Sequence, residues 1–585
     1  MFLIFMVLAF NSQNQTTHYG TPFLTNYSPH DYQAGNQNWA IIQDSRGIMY
    51  FGNNQGILEY DGRKWNFIDP AYIVCARRNS KGEIFVGGRE DFGKLQVNEK
   101  GQIKFLSFKN LLPEKFRDIR FVRHIALIDN RIYFSDENGR LMIFENGEIQ
   151  VKEIANYLGV MEFIDDKLYL NSREGLFIYA DDKLIPVKEG GKFKKFNVRG
   201  IHKLGEKIFI VTRLHGIYQL KANSIEKWNI QANKFLEENQ VYKSTQIGDQ
   251  FLVFGTVESG VLVIDSAGNP VMHTNEKSGM LNHDHCAIYA DNQGNIWSGL
   301  EMGISHIQFH SSFSYYNKFA GLNNSAIYSI ELFDDQLYVG TARSLYSSNW
   351  MKKDNPLAEN RRFNLIPGNE GRKAWYILPD DDHLICCSSN IGIFKIVNNR
   401  AISIDENVNA KKLLKLCSKN ILLCAGEHGG IISMKKISGD WQTINHMREV
   451  QFVKYFEEDA FGNIWISVLN KGIAKIQFSE DYDRVKNIVY YGKEHGLPDY
   501  KNFTVFKFNE WLLFGSDSGT FYYDNDKALF IPFDNFNTML GNTKIFEVKH
   551  DLNGNLWYHG VKSGRKIIGS IQEKSAEIES AIYKP

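Results

Sequence analysis

The sequence predicts an all-β chain of repeated four-stranded sheets arranged in two rings. Three observations support this: a strand-and-turn composition, the lack of long amphipathic helices, and a unit that recurs about every 42 residues. The 585 residues include 41 Phe, 28 Tyr and 48 Gly but only 12 Pro, which suits many short strands joined by tight turns. No run of a dozen residues shows i, i+3, i+4, i+7 apolar spacing, and only short segments such as Asn233 to Asn239 suit a turn or two of helix. A chain this long exceeds one compact domain, so two domains of roughly 300 residues are the natural division.

The repeat consists of an apolar strand, an Asp-x-x-Gly turn, an apolar-aromatic strand, a short polar loop, then Gly and another apolar strand. Its clearest copies start at Asp44, Asp291, Asp459 and Asp551, the last three running on to Trp297, Trp465 and Trp557. The second glycine recurs as Gly56, Gly93, Gly139, Gly175, Gly216, Gly260, Gly303, Gly392, Gly430, Gly472 and Gly519, with Ser344 in its place once. Asp at the turn can accept backbone N–H groups two residues on, and Gly takes the positive φ that other residues resist. A single sheet of this kind cannot bury both faces. A ring of such sheets can, because each covers its neighbour, and a period in the low forties is that of four-stranded propeller blades. The expected domains are a signal-like segment at 1–18, a first β-propeller at 19–310 and a second at 311–585 with six clear units, each ring nominally seven-bladed. The strand-like Phe23 to Tyr27 precedes the first unit and is expected to close a terminal blade as its outermost strand.

Met1 to Phe10 are nearly all apolar and precede a polar stretch, resembling the core of a secretory signal, so export to the periplasm or another extracytoplasmic compartment is expected. No other segment could cross a bilayer, so membrane attachment would come only through segments downstream. Basic and acidic residues balance at 67 each, which argues against nucleic acid as a partner. The six cysteines are expected mostly as buried thiols, with a Cys417 to Cys424 bridge across one hairpin left open.

Units of the form D-x-x-G-N-I-W-x-G, with the opening Tyr19-Gly20-Thr21-Pro22-Phe23 through Gln37-Asn38-Trp39-Ala40-Ile41, resemble the two-component regulator propeller repeats of bacterial sensor proteins over roughly residues 19 to 570. The resemblance implies two tandem propellers forming the periplasmic sensor of a hybrid histidine kinase that detects oligosaccharides. The chain departs from that pattern in having thirteen units where the family has fourteen.

Catalytic signatures are missing: there is no G-x-x-x-x-G-K-[ST], H-E-x-x-H or G-x-S-x-G, and no cofactor is expected. His283-Asp284-His285-Cys286 offers four metal-ligand types in a row, but strand side chains alternate in direction, so a loop histidine pair is favoured over zinc. Asp165-Asp166 and Asp380-Asp381-Asp382 fall at hairpin turns and read as solvated turn residues.

The start of each inner strand and the loop between the second and third strands share one propeller face, where ligands commonly bind. Stacking the first seven units places Arg123, Arg199 and Lys243 at the level of Ala40, with Trp39 and Tyr242 beside them, and Arg89, Arg173, Arg213 and His285 at the same mouth. Arginines for a carboxylate and rings for a pyranose face suit an oligosaccharide or another small ligand, with a homodimer as a further candidate assembly. Two rival readings stay open: a protein-interaction scaffold without a small ligand, and a polysaccharide lyase or hydrolase.

Overall fold

The computed structural model describes residues 20–571 except 70, 100–101, 129, 155–157, 223, 312, 351–355, 358–361, 382, 389–391, 417–418, 427–429, 451, 499–501 and 551–555. The signal-like segment, the bridge proposed for Cys417 and the turn at Asp551 therefore lie outside the described residues. Those residues form thirteen antiparallel sheets, twelve of four strands and one of three, and the chain is a tandem β-propeller. They fall into two compact units that divide between Ala320 and Gly321, with Pro356 and Leu357 belonging to the first. Among the described residues the longest helix is Ala232–Asn239.

The Asp turns show why the repeat carries its aromatic residue. In the seventh sheet, Asp291 Oδ1 accepts the N–H groups of Gln293 and Asn295, both at 2.9 Å, while Oδ2 accepts the indole N–H of Trp297 at 3.0 Å. Asp459 does the same for Phe461, Asn463 and, at 2.7 Å, Trp465. Asp44 takes Arg46, Ile48 and the Tyr50 hydroxyl. Gly294, Gly462 and Gly47 follow with φ of 76°, 80° and 90°, a region in which a Cβ is strained. Each turn thus anchors the ring that its own sheet buries.

The first unit holds seven sheets, numbered here as blades. Their innermost strands are Asn38–Gln43, Ile73–Arg78, Val122–Ile128, Leu158–Ile164, Val198–Leu204, Val241–Ile247 and His285–Ala290. Neighbouring blades meet so closely that several second strands have no room for a side chain. A Cβ on Gly52 would stand 2.4 Å from the Ile73 carbonyl, and one on Gly299 would stand 2.3 Å from that of Asn38. The Gly299 contact joins blade 7 to blade 1. There, Phe51 and Leu58 share a buried cluster with Trp297 and Ile304.

Blade 7 draws its fourth strand from the start of the described chain. Leu24–Tyr27 pairs antiparallel with Ile304–Ile307, from Leu24 opposite Ile307 to Tyr27 opposite Ile304. Asn26 fastens it, donating to the Gly279 carbonyl and accepting from Ser305. Tyr27 packs among Tyr60, Trp65 and Trp297, and Thr21 exchanges both backbone hydrogen bonds with Tyr315.

The second unit carries six sheets between Ile327 and Ile571, the last with three described strands. Here the reading of Asp380 as a solvated turn residue is corrected. Its side chain is fully buried, pairing with Lys415 and with Lys436 at 3.0 Å and accepting the Trp441 indole N–H at 2.8 Å. Burial pushes its carboxyl upward, but these three donors outweigh that and hold it below the usual carboxylate range. The sequence shows the turn but not the lysines that reach it from the next sheet. Asp165 and Asp166 are exposed turn residues, with φ of 48° and 59°.

Two outcomes are expected. Deleting residues 19–30 leaves blade 7 with three strands and should lower the melting temperature of the first unit by calorimetry, whereas an unchanged curve would exclude the clasp. Asp459→Ala orphans the Trp465 indole and two turn amides and should cost about 2–4 kcal/mol in urea unfolding.

Candidate functional site

All seven inner strands of the first unit share an irregularity that organises the mouth of the ring. Each shifts register after its first residue, as between Asn38 and Ala40, Val122 and His124, Val198 and Gly200, or Val241 and Lys243. A bulge leaves one or two residues unpaired and re-aims their side chains. The bulged positions include Trp39, Arg123, Arg199, Tyr242 and Cys286. This corrects the stacking read from sequence. Lys243 does stand at the level of Ala40, opposite Gly255 as Ala40 is opposite Gly52, but Arg123 and Arg199 belong one step earlier, with Trp39 and Tyr242. An unpaired residue leaves no trace in a sequence pattern, so counting along the strands could not reveal the offset.

The side chains nonetheless converge. The Arg199 guanidinium lies over the Tyr242 ring at 5.0 Å. Arg123 lies over Phe121 at 4.6 Å and donates through Nε to Glu137 at 2.6 Å. One turn of the pleat deeper, Arg77 reaches Glu162 at 3.3 Å, and His202 Nε2 meets the Ser244 hydroxyl at 2.8 Å. Lys243 projects among these cations and, among the described residues, has no carboxylate partner. Burial is the main cause that brings its ammonium down to about 8; the Cys75 thiol opposes it, and repulsion from Arg199, then Arg77 and Arg123, adds to it. Burial also lowers His202 to about 4 and His124 well below its ordinary value, so both rings are neutral at pH 7.

Above this ring opens a cleft of about 830 Å³. Blade 5 contributes Arg213, whose Nε and Nη2 both reach Gln240 Oε1, and blade 6 contributes Tyr242 and Val257. Blade 7 contributes Asn282, Asp284, His285, Glu301 and Met302, and Asn36, Gln37 and Asn54 complete the wall. Glu301 accepts from Gln37 at 2.5 Å and lies 3.5 Å from the Cys286 thiol. His285 Nδ1 faces the Thr256 and His283 carbonyls at 2.9 and 2.8 Å, which places its proton there. Its Nε2 remains a bare acceptor, buried without a protein partner, and burial lowers the ring to about 4.

Of the residues singled out from sequence, Arg213, Tyr242 and His285 line the cleft, while Arg123, Arg199 and Lys243 do not line it and stand at the starts of the inner strands of blades 3, 5 and 6. Trp39 is half-buried at the head of blade 1 and Arg89 is an exposed loop residue beside Glu90, neither lining the cleft; exposed Arg173 does not line it either. The amides Asn36, Gln37, Asn54 and Asn282 were missed, although their places just before inner strands and in the loop between the second and third strands are those the register argument already used. No cluster of metal-ligating groups occurs among the described residues. In the His283 run, His283 faces Glu276 at 3.0 Å while His285 turns inward.

No family model matches the chain, and no curated protein matches it. Solved structures do. The chain resembles the extracellular domain of BT3049 from B. thetaiotaomicron, described as a hybrid two-component system, with a TM-score of 0.65 and 15% identity over 96% of this chain and 78% of that one. The extracellular domain of BT4673 from the same organism aligns over the same shares at 17% identity and a TM-score of 0.41. Virginiamycin B lyase from Staphylococcus aureus covers 48% of this chain and 97% of its own at 17% identity and a TM-score of 0.37. The chain has the fold of the BT3049 extracellular domain.

Lys243 should be visible in stability. Its depressed pKa means that the charged form destabilises the folded chain at pH 7, and that this destabilisation is lost as pH rises from about 8 towards the unfolded-state value. Lys243→Met should therefore melt higher than the parent at pH 7, and the gap should close between about pH 8 and pH 10. A gap independent of pH would contradict this.

Proposed function

We propose that this chain is the ligand-sensing region of a two-component-type receptor, that it works outside the cytoplasm, and that it binds an oligosaccharide-like ligand at the mouth of the first propeller. The observation that carries the proposal is the open cleft of about 830 Å³. It has the volume of a small-ligand site, a guanidinium and a tyrosine ring on one wall, and amides and carboxylates on the other. Rings such as Tyr242 stack on the apolar face of a pyranose, while Arg213, Asn282 and Asp284 suit hydroxyl groups. A pure protein-docking platform calls for none of these inward-facing groups. The likeness of fold to the extracellular domain of a hybrid two-component system supports the same reading.

Signalling follows from differential binding. A ligand that spans blades 5, 6, 7 and 1 at the mouth stabilises the arrangement in which those blades present their groups together, and a partner in the membrane can read that state.

Isothermal titration against plant, algal and host-glycan oligosaccharides is the test. At least one class should bind, and Tyr242→Ala and Arg213→Ala should each weaken it about tenfold, or about 1.4 kcal/mol. Silence across a broad panel would overturn sugar sensing. Release of unsaturated or shortened products from a polymer would replace it with the lyase or hydrolase reading.

A further inference from the structure

Among the described residues around the channel, cationic side chains outnumber carboxylates. Around the ring, blade 2 contributes Arg77 and the Cys75 thiol, blade 3 Arg123 and His124, blade 4 Glu162, blade 5 Arg199 and His202, blade 6 Lys243, and blade 7 the Cys286 thiol. Both histidines are neutral, and burial pushes both thiols well above their ordinary range, Cys75 to about 12. Four cations therefore face Glu162, held by Arg77, and Glu137, held by Arg123, with Glu301 at the rim engaged by Gln37.

An ammonium enclosed by like charges costs stability, and an apolar side chain of similar length would fill the same space without that cost. Lys243 is also well placed. It immediately follows Tyr242, which lines the cleft and carries the Arg199 guanidinium over its ring, and low-dielectric walls focus the field of charges held there.

Resting on the reading of the mouth as a sugar site, we propose that the ligand is an acidic glycan whose anionic substituent, a uronate carboxylate or a sulfate ester, enters the first propeller's channel and pairs with Lys243. The pyranose ring stacks at Tyr242 while its charged group reaches one residue deeper. Arg199 and Arg123 strengthen the attraction, since guanidinium donors match the oxygens of either anion. A neutral sugar fits the mouth but leaves Lys243 without its counter-ion.

Titration of the full chain with three oligosaccharides of equal length, an oligogalacturonide, a sulfated chondroitin fragment and a neutral xylo-oligosaccharide, decides the matter. At least one acidic ligand should bind about tenfold or more tighter than the neutral one, and that preference should shrink between about 50 and 300 mM salt. Lys243→Met should collapse the acidic-over-neutral ratio and Lys243→Arg should keep it. If Lys243→Met fails to fold, the arginine variant and the salt dependence of the parent carry the test. Comparing the two acidic arms separates carboxylate from sulfate. Equal binding of neutral and acidic ligands, or an unchanged ratio in a folded Lys243→Met, overturns the channel assignment and leaves the mouth site standing. No binding by any of the three, with none in the broader panel, removes both.

Discussion

The first propeller depends on one steric constraint: successive sheets must approach until backbone meets backbone near the axis. Gly52 against the Ile73 carbonyl and Gly299 against the Asn38 carbonyl mark the places where a single carbon atom would hold the blades apart. In the second unit the Ser467 hydroxyl donates to the Phe503 carbonyl, just ahead of the next sheet, at 2.6 Å. Close approach lets each blade cover the next, and the aromatic residues anchored by the Asp turns fill the wedge that widens outward. The mouth and the channel are what remains at the centre once those contacts are satisfied.

Much of this was legible in the residues. The Asp-x-x-Gly turn has a local chemistry that a sequence displays in full, because the acceptor, its two amides and the positive-φ glycine all lie within four positions. The position of Leu24–Tyr27 was readable for another reason: a strand-like segment ahead of the first repeat has one good use in a ring, which is to complete the sheet that ends it. What stayed hidden depended on contacts between sheets or on pairing irregularities. The burial of Asp380 comes from lysines more than thirty residues away. The levels of Arg123 and Arg199 depend on a bulge that no side-chain pattern encodes. Arg89 and Arg173 sit on the correct loops, yet loop residues choose their direction from backbone detail, and these two are exposed.

The bulge also gives the mouth its character. A regular ladder would alternate side chains between channel and interior, but the shift after the first residue of each inner strand adds a position at the rim. Arg199 and Tyr242 come from two such positions on adjacent blades and stack on one another. The charge that collects below them is tolerated because the surrounding sheets are well packed; the Val211, Phe254 and Leu262 side chains beside it are fully buried. Stability supplied by the periphery of the ring thus supports an unfavourable arrangement at its axis.

The pairing of Leu24 with Ile307 has a consequence for biogenesis. Of the first ring's strands, a chain emerging from the ribosome exposes the clasp strand first and its partner strand last. At 5–20 residues per second the early strand waits roughly 15 to 60 s for its mate. During that interval six consecutive sheets can assemble in order while the ring stays open, with a bare edge at each end available to any passing strand.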